Sequence, residues 1–221
     1  MIVVTFLATA GVALLIGITV HEFSHAAAAY RLGDPTARHL GRLSLNPVRH
    51  LDPMGTAMLL LVGFGWGKPV PVSPRFLRND TRKSMSLVAS AGPMANVITA
   101  LACGLPIRMG LLSWHSPFSF RGLRGASPED LLVDLLGFVI FFNIILAVFN
   151  LIPLSPLDGS KIAAGVLPAS MAATLARWDA TGPAILMAII MIDWFTGLNL
   201  LWGVLGPLAD VVGLIAIGRS L

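Results

Sequence analysis

Apolar residues gather in long runs at positions 2 to 30, 85 to 112, 131 to 154, 180 to 196 and 198 to 217. Each is near or above the roughly 20 residues that carry a helix across a bilayer core. The pattern predicts an all-α, multi-spanning membrane protein with five transmembrane helices, or six if the shorter run at 54 to 65 also crosses. That run is only about a dozen residues, a length better suited to a re-entrant or interfacial hairpin. The stretches 41 to 47, which ends in a proline, and 68 to 74, which holds three, resist helix formation, because proline removes a backbone donor and biases its predecessor toward extended conformations. Short extended segments are therefore expected at the cytoplasmic boundary, packed on protein or lying at the membrane surface, since lipid satisfies no open strand edge. No repeat and no long polar extension interrupts the pattern, so residues 1–221 are expected to form a single intramembrane domain.

Composition agrees with this reading. Mean hydropathy is +0.82, and 56% of residues are hydrophobic against 12% charged, about half the charged fraction of a soluble domain. The formal charge of +4 does not point to nucleic acid, because the charges sit in short loops between apolar runs and are better explained by topology. Arg31, Arg38, Arg42, Arg49, Lys68, Arg75, Arg78, Arg82 and Lys83 flank the short run and should face the cytoplasm. Following the chain from there predicts an N-terminus outside, and a final helical hairpin that returns Arg219 to an inside C-terminus. The single cysteine, Cys103, excludes a disulfide framework and a cysteine-rich zinc ribbon. No basic region precedes the first apolar run, which is expected to be retained rather than cleaved.

The chemistry is concentrated in VHEFSHAAAAY, where His21, Glu22 and His25 form H-E-x-x-H inside an apolar helical run. Residues four apart on a helix lie on one face about 6 Å apart, so both imidazoles can address one tetrahedral zinc. Glu22 would then stand beside the open position and take a proton from zinc-bound water. The chain has only two glutamates, Glu22 and Glu129. One of them between two histidines, where ionisable groups are costly, argues against the alternative that these histidines merely bond across helices. Zinc needs a third ligand, and the best remaining donor is Asp158 in NLIPLSPLDGSKI. Taken alone, Asp158-Gly159 is a turn signal. The charge-derived topology, however, brings His21 and Asp158 to similar depth near one membrane face. His39, His50 and His115 read as surface histidines without a ligand partner, and Asn96 as glue between helices. Asp193 and Asp210, inside apolar runs, are expected to face water or other helices.

H-E-F-S-H at 21 to 25, A-G-P-M-A-N at 91 to 96 and N-L-I-P-L-S-P-L-D-G at 150 to 159 together resemble the site-2 protease family of intramembrane zinc metalloproteases. The resemblance implies one zinc per chain held by His21, His25 and Asp158, with Glu22 as general base. It also implies that Asn150 steadies the substrate carbonyl or the oxyanion, for which helix packing is the alternative. A compact branch without PDZ or CBS domains fits the length. The expected activity is hydrolysis of peptide bonds in or near transmembrane segments of membrane-protein substrates, with the lipid bilayer as surroundings. A homo-oligomer or an accessory membrane partner stays open. Two rivals remain: a non-catalytic zinc-binding scaffold, which has no need of Glu22, and a metal or proton transporter, which should string ionisable residues through several spans.

Overall fold

A computed structural model describes residues 2–62, 65–78, 80–116, 118 and 127–220. Among these the chain is helical: α1 Ile2–Arg31, α2 Thr36–His39, α3 Pro53–Val62, α4 Thr81–Arg108, α5 Pro128–Asn150, α6 Asp158–Val166, α7 Ala169–Ala176, α8 Gly182–Thr196 and α9 Leu200–Ile217. The only β pairing among the described residues is an antiparallel bridge between Leu51 and Gly67. Four helices, α1, α4, α5 and α9, are long and apolar enough to cross a membrane. The fifth expected span is the 15-residue α8, about 22 Å long against a hydrocarbon core of about 30 Å.

Helix starts follow local capping chemistry. Asp80 accepts the backbone N–H of Arg82 through its side chain and that of Ser84 through its carbonyl, opening α4. Ser127 and Asp130 bond reciprocally ahead of α5, whose first residue is Pro128. Asp193 accepts the N–H groups of Leu200 and Leu201 at 2.6 and 2.8 Å and so caps the first turn of α9. This gives an aspartate in an apolar run a structural reason to be there. Of the short run at 54 to 65, α3 is a ten-residue helix, and residues 63 and 64 lie outside the described residues; Gly55 stands so close to the Trp66 carbonyl that an added Cβ would lie 2.1 Å from its oxygen.

The chain divides into two compact units: residues 1–17, 96–150 and 184–221 form one, and residues 18–95 and 151–183 the other. In the first, Phe138 packs with Ala13 and Val139, supported by Phe6, Ala10 and Cys103. The Asn96 amide donates to Gly17 O at 3.0 Å and Asn143 Oδ1 at 2.7 Å, the interhelical bonding that satisfies polar groups away from water. In the second unit, Ala29, Leu77 and Val88 are packed with Leu32, Val72 and Met85.

The last turn of α9 packs against the end of α4. Arg108, at the end of α4, donates to the carbonyls of Leu214 and Ile215 in the last turn of α9. A Cβ on Gly104 would lie 2.5 Å from Ala216 O. The C-terminal ends of α4 and α9 therefore lie side by side. Arg219 is a single charge beyond the last apolar run, and the carbonyls that end α9 are engaged by Arg108 instead.

Candidate metal centre

Successive turns of α1 carry His21 and His25, both buried, with ring centroids 4.6 Å apart and planes at 84°. Their Nε2 atoms lie 3.1 and 3.0 Å from the same oxygen, Asp158 Oδ2. Among the described residues these three form the one group of potential metal-ligating side chains, their donor atoms all within 4.8 Å of one another. The Nδ1–H of His25 donates to Val88 O at 2.7 Å. That bond orients the ring and leaves Nε2 toward the aspartate, the usual arrangement behind a metal-binding imidazole.

These donors suit zinc. With bonds of about 2.0 to 2.2 Å, ligand atoms of a tetrahedral zinc stand roughly 3.3 to 3.5 Å apart, close to the separations between Asp158 Oδ2 and the two nitrogens. Two imidazoles and a carboxylate also form the ligand number of a catalytic rather than a structural zinc site. Burial pushes the Asp158 carboxyl upward, but the hydrogen bonds and charges of His21 and His25 together outweigh it and hold the group below the usual carboxylate range.

Close backbone approach makes the cluster possible. An added Cβ at Gly92 of α4 would lie 2.4 Å from His25 Nε2 and 2.7 Å from His21 Cε1, so only glycine leaves room for both rings. Gly159, next to the aspartate, is as confined: its Cβ would meet the carbonyl oxygens of Ile152 and Leu151 at 2.3 and 2.4 Å. Helix α6, which begins with Asp158, is fastened to α4. Arg82 donates to the carbonyls of Ala164 and Leu167, and Gly165 fits against Ser86, whose hydroxyl donates to Ile162 O.

Glu22 follows His21 on α1 and is half-buried. Its Oε2 accepts the Val70 N–H at 3.0 Å. Asn150 closes α5, and its side-chain amide donates to Leu146 O of its own helix. His39 is exposed as expected, but two other histidines are not surface residues. His50 is fully buried, with Nε2–H donating to Ser44 O. His115 pairs with the buried Asp134 at 2.8 Å. Gly92, the Val88 carbonyl and the Val70 amide were not legible as parts of the site, because each contributes backbone rather than side-chain chemistry.

The sequence profile of peptidase family M50 matches residues 108–192, a stretch that includes Asn150 and Asp158. The chain is 35% identical over 201 residues to the Bacillus subtilis protein named "Putative zinc metalloprotease YwhC", covering 91% of this chain and 87% of that one. It is 30% identical over 151 residues to "Putative zinc metalloprotease Rip2" of Mycolicibacterium smegmatis, covering 66% of this chain and 52% of the relative. The Mycobacterium tuberculosis protein of the same name is 31% identical over the same length, with the same coverage. No solved structure matches the chain at comparable significance.

Proposed function

We propose that this chain, which belongs to peptidase family M50, the site-2 protease family, hydrolyses peptide bonds in or near transmembrane segments with one zinc ion held by His21, His25 and Asp158. The carrying observation is the meeting of the Nε2 atoms of His21 and His25 with one oxygen of Asp158, which lies 137 positions from His21 in sequence, with Glu22 next to the first ligand. Zinc in such a site supplies Lewis acidity, polarising a carbonyl and lowering the pKa of water to about 7. Glu22 takes the proton of the attacking water on a carboxylate oxygen and returns it to the leaving amine. Asn150, on releasing its intrahelical bond to Leu146, steadies the substrate carbonyl.

Residues 1–221 act as one protease domain in this reading. Its metal end faces the cytoplasm, because Arg31, Arg38, Arg49, Lys68, Arg75 and Arg78 lie around that end of α1 and α4. The N-terminus is then outside, and α1, α4, α5 and α9 make four crossings, with both ends of the chain on the outer face. A helical substrate must unwind before its carbonyl is accessible. The stretch 68–74 receives it by strand addition. Pro69 and Pro71 have no N–H, so the pairing depends on the carbonyls of this stretch and on donors from the substrate.

The test is purified wild type against Glu22→Gln with a transmembrane peptide in detergent or vesicles. The variant should retain zinc and lose at least about a hundredfold in cleavage rate, the lower range for a general base. A wild type that binds zinc and cleaves nothing would favour a scaffold, and metal flux across vesicles would favour a transporter.

A further inference from the structure

Arg42 is nearly buried, at 5% exposure, and has no ion-pair partner among the described residues. Burying a cation in this way is unfavourable unless the surroundings use it. Its Nη2 donates to the Lys68 carbonyl. The N–H of the same Lys68 donates to His50 O at 2.8 Å, and His50 is in turn held by its bond to Ser44 O at 2.7 Å. Two residues on, the Val70 N–H meets Glu22 Oε2. Three further on, the Ser73 N–H meets the fully buried Asp34 at 2.6 Å. Pro69 and Pro71 carry no donor. Three of the four amides between Lys68 and Ser73 are thus fixed on acceptors elsewhere in the chain, and one of those acceptors is Glu22.

We propose that Arg42 and the Val70 amide are positioning groups for the Glu22 carboxylate: Arg42 clamps the Lys68 carbonyl so that the Val70 N–H holds one Glu22 oxygen and leaves the other for the proton. The inference rests on Glu22 being the base. It assigns the Val70 amide to the enzyme's own carboxylate rather than to the substrate strand, and it gives the buried arginine a task at the site without contact with substrate. The clamp sits two residues from the amide it places, so a lost Arg42 bond moves the amide without disturbing the ligands on α1 and α6.

Three variants separate this from a structural role. Val70→Pro removes the N–H in a stretch whose neighbouring prolines already favour extended backbone. Arg42→Ala removes the clamp, and Arg42→Lys restores a single donor. Both disabling variants should keep one zinc per chain and lower kcat by about 10- to 100-fold, the range for groups that orient reacting residues, with KM within about twofold. Arg42→Lys should recover part of the loss. Hydrogen exchange supplies a readout independent of turnover: the Val70 amide should exchange at least about tenfold faster in Arg42→Ala, with α4 unchanged. Normal kcat in both disabling variants, a raised KM with intact kcat, or zinc lost together with activity would each overturn the proposal. If wild type cleaves nothing, the protease reading fails, and the exchange comparison still decides whether Arg42 holds the amide.

Discussion

A methyl group at position 92 would stand 2.4 Å from one proposed ligand nitrogen and 2.7 Å from the ring of the other. Gly92→Ala should therefore displace both imidazoles, and zinc affinity measured by chelator competition should fall by about 10- to 100-fold, as it does when groups supporting metal ligands are altered. Unchanged affinity would mean that α4 yields and that the rings are not confined. His21, Glu22 and His25 are legible from spacing alone, because a helix converts a four-residue interval into one face. Asp158 was reachable through depth and resemblance. Gly92 was visible only as part of a motif, because its role is the absence of a side chain at a contact that no local pattern encodes. His50 read as a surface residue since it lies among loop-forming residues; its burial depends on the return of the chain at Gly67 and Lys68.

Between helices, Arg82 is the fastening that decides where Asp158 stands. Its bonds to the carbonyls of Ala164 and Leu167 secure the C-terminal end of α6, whose first residue is the aspartate. Arg82→Ala should lower zinc affinity while circular dichroism of the helices stays unchanged, with partial recovery in Arg82→Lys. An affinity equal to wild type would show that Gly159 and the turn before it place the aspartate unaided. Helix existence was well read from apolar run length: α1, α4, α5 and α9 coincide with expected spans, and Asp193 in the α8 run proves to be the cap of α9. Helix direction was less accessible. Charge bias places loops, and one terminal arginine carried the prediction for α9, whereas Arg108 and Gly104 set its packing against α4. With Cys103 replaced by serine, single cysteines at Ser113 and Ser220 should react with a membrane-impermeant reagent from the same side, and one at Ser44 from the other. Labelling of Ser220 together with Ser44 would restore the expected hairpin.

For the whole molecule, large side chains such as Val4, Leu7, Trp194, Phe195 and Val211 are more than half exposed, a surface that suits lipid and would aggregate in water. Cores are small and polar bonds are placed internally, as the triad of Asn96, Asn143 and Gly17 illustrates. The most direct measurement is X-ray absorption spectroscopy at the zinc edge on purified protein, with metal content determined alongside. Wild type should hold one zinc per chain with two nitrogen ligands from imidazole and at least one carboxylate oxygen, and Asp158→Ala should lose most of the metal. Stoichiometric zinc with an unchanged spectrum in Asp158→Ala would contradict the proposed centre.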